Sequence, residues 1–246
     1  FRHNDPENLA KRLKRLGERA SNTLIVVEGI YSMLGDRAPL AEIAKVKEDY
    51  GACLLVDEAH SLGVLGDNGR GLAEEACVED SVDFIVGTFS KSLGAIGGFC
   101  VSNHSSMEMI PLAARPYIFT ASSSPSIIAS TREALKILKA RPQLRHKLWD
   151  NAHQLYAKLQ NLDFQLGPEP SPVVAVRVAN IDQVIAAWKW LLEAGVYVNM
   201  VTPPATPDGG CLLRCSVSAG HTSEQIEQIG QAFASLCRTT QAAQAG

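Results

Sequence analysis

Four short, almost unbroken apolar runs punctuate the first hundred residues and limit the fold more than any other feature. Residues 23–28 (TLIVVE), 52–57 (ACLLVD), 83–88 (DFIVGT) and 98–102 (GFCVS) are too short for helices and show no clean polar alternation. Such runs mark strands covered on both sides, as in a parallel sheet dressed with helices. Helical patterns stand among them. Asp5 and Pro6 open a segment with Leu9, Leu13 and Leu16 on one side. Residues 39–50 carry Leu40, Ile43, Ala44 and Val46 at helical spacing, and Gly51 stops them. Strand and helix in alternation give right-handed β-α-β units, hence an α/β fold with a mostly parallel sheet and helices on both faces.

The pattern changes after residues 121–125 (ASSSP). Two helices are expected over 126–140 and 142–161, split by Arg141-Pro142. A β-α-β-β-α series follows over 173–178, 181–194, 196–200, 211–217 and 223–237. The expected division is residues 1–124 as part of a large domain and 125–246 as a smaller α+β carboxy-terminal domain. A length of 246 residues suits one or two domains at roughly 150 residues each.

Apolar residues make up 46% and charged residues 20%, with net charge −3, the profile of a soluble globular chain. That balance argues against a protein built to hold nucleic acid or an anionic membrane. No uncharged apolar run reaches the roughly 18 residues of a transmembrane segment. The six cysteines form no CxxC pair, and Cys53, Cys100, Cys211 and Cys215 sit in strand-like contexts, where a thiol acts as a small core hydrophobe. The expected compartment is the reducing cytoplasm. The chain begins Phe-Arg-His with no signal peptide, which reads as the later part of something longer.

Ligands of open α/β sheets lie off the carboxyl ends of the strands. The first run leads into residues 28–36 (EGIYSMLGD), the second into 57–60 (DEAH), and the third into 87–92 (GTFSKS). Lys91 follows a buried strand, stands among Thr88, Ser90 and Ser92, and precedes Gly94, Gly97 and Gly98. Partial desolvation would disfavour its ammonium form, as a Schiff-base amine requires, while the hydroxyls hold a phosphate. Asp57 ends an apolar strand, where a carboxylate needs a positive partner such as a protonated pyridine nitrogen, or else caps the next turn. His60 lies three residues on, as a ligand contact or a structural residue. Ser32 reaches a ring hydroxyl or stabilises a turn. Arg214 interrupts an apolar strand (LLRCS) and needs an anion, either a substrate carboxylate or a structural partner. Residues 115–120 (RPYIFT) are a weaker candidate for the site or a subunit interface.

Residues 54–60 would also pass for the acidic Mg²⁺ strand of a nucleotide hydrolase. That chemistry needs a P-loop, and in 87–92 Ser90 stands where its second glycine belongs.

The run 57–60 (DEAH), with 87–92 (GTFSKS) and Gly97-Gly98, resembles the α-oxoamine synthases, pyridoxal-phosphate enzymes of the fold-type I, aspartate aminotransferase-like fold. Residues 28–36, 115–122 (RPYIFTAS), 197–200 (YVNM) and 203–207 (PPATP) are most similar to those bacterial members that condense L-serine with palmitoyl-CoA. The resemblance covers essentially the whole chain. It implies Lys91 as the Schiff-base lysine, Asp57 at the pyridine nitrogen, and His60 and Ser32 at the ring hydroxyl; Lys91, Asp57 and His60 are the catalytic set. Thr88 and Ser90 would bind phosphate, and Thr120 would reach the phosphate of the neighbouring subunit's cofactor in a homodimer. Arg214 would sit near the substrate carboxylate. The implied reaction releases CO₂ and CoA and forms 3-ketodihydrosphingosine, the first step of sphingolipid synthesis. The alternative is a sister activity of the glycine C-acetyltransferase or 8-amino-7-oxononanoate synthase type. No metal, nucleic acid or membrane span is implied.

Two departures stand out. Family members are much longer at the amino end, where a phosphate-binding glycine turn and a ring-stacking histidine reside. This chain is therefore expected to hold part of the pocket and not to catalyse alone. Thr202 precedes Pro203-Pro204 where an arginine that engages the serine carboxylate is expected.

Overall fold

A computed structural model of the chain describes residues 1–206 and 209–244. Pro207, which ends the 203–207 motif, lies outside the described residues. The chain divides into two compact units. The first comprises Phe1–Ile30 and Arg37–Pro142, and the second comprises Tyr31–Asp36 and Gln143–Gly246.

The first unit is built on a sheet of β1 (Leu24–Glu28), β2 (Cys53–Asp57), β3 (Phe84–Thr88) and β4 (Gly98–Val101), in that order. The first three are parallel, with Glu28 beside Asp57 and Asp57 beside Val86. β4 runs antiparallel to β3 because only a short turn joins them, too little chain for a crossover. Two helices on one side cover the sheet. Helix α1 (Pro6–Leu16) starts where the Asp5 carboxylate accepts the Asn8 N–H at 2.7 Å, and it buries Leu9 and Leu13. Helix α2 (Leu40–Tyr50) buries Leu40, Ile43 and Ala44 and ends on Gly51, whose φ of 63° suits a residue without a side chain. Beneath them lie Ile25, Val27, Leu54 and Val56. Asp83 fixes the start of β3, its carboxylate accepting the Leu54 N–H at 2.7 Å and pairing with Lys47 at 3.0 Å.

The expectation that β1 is covered on both faces is not met. Leu24 and Val26, which alternate with the buried pair, are 50% and 56% exposed. A continuous apolar run can reflect two packed faces, but only the Ile25–Val27 face receives helices within this unit.

The unit continues through α3 (Leu72–Glu75), α4 (Ile110–Ala113), α5 (Arg115–Ile118) and α6 (Pro125–Ala140). The division between units falls after Pro142 rather than at Ser124, so α6 joins the first unit. One reason is that Leu138 of α6 packs on Gly63 in the turn after β2.

The second unit holds an antiparallel sheet in the order β5 (Val173–Val178), β7 (Cys211–Ser216), β6 (Asn199–Val201). Helices α7 (Gln143–Gln160), α8 (Ile181–Glu193) and α9 (Ser223–Gln244) accompany it. Leu155, Val176, Leu191, Leu213, Ile226 and Phe233 form its core. The strand expected over 196–200 shrinks to three residues. The Trp188 indole N–H donates to the Val198 carbonyl at 3.0 Å, so a side chain, not a neighbouring strand, holds that stretch.

Candidate active site

The carboxyl ends of β2 and β3 lie side by side, and the turns that leave them carry most of the expected chemistry. Asp57, half-buried, ends β2, and its Oδ1 accepts the Ala59 N–H at 2.9 Å. His60, also half-buried, follows in the same turn. On β3, the Thr88 hydroxyl lies 2.8 Å from the Ser90 hydroxyl and 3.1 Å from the Gly97 carbonyl, and it accepts the Ser90 N–H at 3.2 Å. Lys91 opens the turn to β4. That turn is closed by Phe89 N–H on the Gly97 carbonyl at 2.9 Å, with Gly94 at φ 58° and Gly97 at φ 116°. A β-carbon at Gly98 would stand 2.7 Å from the Gly87 carbonyl, so only glycine admits this approach of the two strands.

The β2 and β3 turns touch. A β-carbon at Gly63 would meet the β-carbon of Ser92 at 2.9 Å, so the segment after Asp57 and His60 rests against the residue that follows Lys91. Asp57, His60, Thr88, Ser90 and Lys91 therefore share one region of the first unit.

Other candidates stand differently. Lys91 is exposed, not partly desolvated as expected, because it sits on a turn beyond the strand end. Thr120 is exposed after α5, and its hydroxyl donates to the Pro116 carbonyl of that helix. Ser32, Thr202 and Arg214 are carried by the second unit. Ser32 lies half-buried in a loop closed by Gly35 N–H on the Tyr31 carbonyl at 2.9 Å. Thr202 is half-buried, and its carbonyl accepts the Ala205 N–H at 3.0 Å. Arg214 stands on β7 beside Ala175 and Asn199. Its Nε is buried without a hydrogen-bond partner, and burial pushes the guanidinium pKa down. A desolvated guanidinium with an open donor suits an incoming carboxylate.

Sequence reasoning missed the most enclosed charge of the region. Glu58 is fully buried beneath the rim. Its carboxylate accepts the N–H groups of Leu72 and Ala73, each at 2.9 Å, and the Ser61 hydroxyl. Burial pushes its pKa up, against the downward pull of these three bonds, and neighbouring Asp57 adds to the rise. Turned inward in this way, Glu58 does not offer the rim the acid that a nucleotide hydrolase strand would present. Gly29 and Gly71 make room for it: a β-carbon at either would overlap the carboxylate. Of the cysteines, Cys211 and Cys215 are buried as expected, and burial pushes the Cys215 thiol up to about 12. Cys53 and Cys100 are only half-buried, on the less covered side of their sheet.

A mostly parallel sheet that gathers an amine, an acid, a histidine and paired hydroxyls at its strand ends defines an α/β protein with a candidate small-molecule site at the rim. More narrowly, the chain belongs to the aminotransferase class I and II family, whose description matches residues 1–233. It is 58% identical over 236 residues to a serine palmitoyltransferase of Caulobacter vibrioides, covering 96% of this chain and 58% of that protein. A serine palmitoyltransferase of Sphingomonas paucimobilis is 50% identical over 93% of this chain and 55% of its own length. An 8-amino-7-oxononanoate synthase of Alkaliphilus metalliredigens is 38% identical over 95% of this chain and 59% of its own length. Among solved structures, the S. paucimobilis serine palmitoyltransferase with a bound PLP–myriocin aldimine superposes with TM-score 0.95 at 48% identity, over 98% of this chain and 61% of that one. The fold is thus fold-type I, as the motifs implied. The chain spans about six-tenths of the length of these relatives.

Proposed function

We propose that this chain forms part of a pyridoxal-phosphate-dependent acyltransferase that condenses L-serine with palmitoyl-CoA, releasing CO₂ and CoA, for sphingolipid synthesis. The carrying observation is that Asp57 ends β2 while Lys91 opens the turn after the adjacent parallel strand β3, which also bears the Thr88–Ser90 hydroxyl pair. The donor set fits the cofactor: hydroxyls and a glycine-lined turn for phosphate, a carboxylate for a pyridinium, a primary amine for an aldehyde. Bound there, pyridoxal phosphate supplies an aldehyde that captures amines and a ring that withdraws electrons from the substrate α-carbon.

The protein's own groups do the rest. Asp57 holds a proton on the pyridine nitrogen, kept in orientation by the Ala59 N–H. His60 would meet the ring hydroxyl. Thr88 and Ser90 donate to phosphate, joined by Thr120 from a second subunit. The Lys91 Nζ would hold the aldehyde and, as a free amine, would carry the substrate α-proton. On the second unit, Arg214 is the candidate for a substrate carboxylate, its buried Nε lacking a hydrogen-bond partner. The active form is a cytoplasmic homodimer, for which the exposed apolar side chains from Met109 to Phe119 supply a contact surface. No described helix is long and apolar enough to cross a membrane.

The test uses the full-length protein. Loaded with pyridoxal phosphate, it should show a visible absorbance band that changes on adding L-serine. It should form ketone product from palmitoyl-CoA more efficiently than from acetyl-CoA or pimeloyl-CoA. Lys91→Ala should abolish the lysine-linked band and turnover. A band and turnover that survive in this variant would overturn the assignment; product from glycine or alanine with a short acyl donor would redirect it to a sister activity.

A further inference from the structure

Glu58 neighbours Asp57 in sequence yet points the opposite way. Its side chain gathers three parts of the chain that are otherwise far apart: Gly29, just past β1; Ser61, in the turn after β2; and Leu72 and Ala73, at the start of α3. Gly29 and Gly71 lack the β-carbons that would fill its place. The main chain of Glu58 is tied down as well, its N–H donating to the Val86 carbonyl at 2.8 Å and its carbonyl accepting the Leu62 N–H at 2.8 Å. Two residues beyond Ser61, Gly63 abuts Ser92 beside Lys91. One buried carboxylate thereby fixes both ends of the turn that bears His60, and that turn is packed against the turn that bears the amine.

We propose that Glu58 is a positioning residue of the site, holding Asp57 and His60 in register with Lys91 from inside the protein. It touches no ligand; it acts through the main chain of residues 57–63. A carboxylate suits the task because three converging donors leave no room for a second donor. An amide of the same shape would set its own N–H against a backbone N–H, and the turn would shift to relieve the conflict. Shifts of about an ångström remote from the chemistry can lower turnover by as much as roughly a hundredfold.

The inference rests on the reading of this rim as a pyridoxal-phosphate site, and the test separates the two. Glu58→Gln is made in the full-length protein. Its melting temperature, the absorbance maximum and dissociation constant of bound pyridoxal phosphate, and kcat and KM for L-serine are compared with those of the unsubstituted protein. The expected result, measured well below melting, is a displaced absorbance maximum, weaker cofactor binding and a kcat lowered roughly ten- to a hundredfold with KM little changed. A lowered melting temperature with an unaltered spectrum and kcat would make Glu58 merely structural and overturn the proposal. Should Glu58→Gln not fold, Ser61→Ala serves instead, since it spares the bonds to Leu72 and Ala73. It should lower kcat in the same direction by less, and an unchanged spectrum and kcat would likewise overturn the proposal. Failure of the unsubstituted protein to bind the cofactor would instead remove the underlying reading, and the proposal with it.

Discussion

Asp57 and Glu58 are adjacent acids at the end of one strand, and strand geometry sends them to opposite sides. Asp57 lies on the face shared with Leu55 and Val26, half-buried, while Glu58 enters the interior. The same residue type thus stands half-buried at the rim in one position and ties the interior together in the next. For Asp57→Asn, retained folding is expected, because the amide oxygen can still accept the Ala59 N–H. The loss of charge at the pyridine nitrogen should slow removal of the substrate α-proton by roughly a hundredfold or more, about 2.7 kcal/mol at least. Exchange of the serine α-proton with deuterated solvent, followed by NMR, reads that step directly; unchanged exchange would argue against the electron-withdrawing role. The shared place of Asp57, His60, Thr88, Ser90 and Lys91 at the strand ends was legible in sequence because each lies within a few residues of an apolar strand, and the strand fixes where its end goes. Glu58 was not, because its partners Leu72 and Ala73 lie fourteen and fifteen residues away and are brought back only by the intervening loop.

At the scale of elements, the loop between Gly63 and Gly71 shows how a segment without regular structure is kept in place. The Glu74 carboxylate of α3 accepts the N–H groups of Asn68 and Arg70 and the Asn68 side chain. Burial pushes the Glu74 pKa up, but these bonds and the Arg70 charge outweigh it, and the net shift is downward. A depressed folded-state pKa means that the stabilisation is present above glutamate's ordinary value of 4.5 and is lost as the pH falls through the lower folded value. Hydrogen-exchange protection of the Asn68 and Arg70 amides should accordingly hold above pH 5 and fall away in acid. Glu74→Gln should remove that acid dependence; protection that is flat with pH in the unsubstituted protein would contradict it. Helix and strand periods placed α2, β2 and β5 to within a residue at their ends, since local spacing decides those elements. They failed at β6, where the Trp188 indole takes over a carbonyl, and for the outer face of β1, where an apolar run says nothing about what covers it.

For the whole molecule, the two units each have a core, and the loop Tyr31–Asp36 joins the second although its neighbours in sequence belong to the first. A bridge between Ile30 and Arg37 closes the base of that excursion. The apolar surface of α4 and α5 is the feature that most concerns assembly: Leu112 is 72% and Phe119 82% exposed. Apolar side chains concentrated in this way mark contact surfaces in soluble proteins. If the full-length protein is the proposed homodimer, Phe119→Asp should shift its sedimentation coefficient toward that of a monomer and reduce cofactor retention. An unchanged dimer would exclude Phe119 from the contact.

The amino-acid sequence by itself determined the alternation of strand and helix and the chemistry at the strand ends, because both depend on residues within one or two turns of each other. The tertiary structure alone decided that Glu58 faces inward, that α6 belongs with the first unit, and that Ser32 travels with the second. Those outcomes depend on which surfaces meet across long stretches of chain, and no local pattern encodes the meeting.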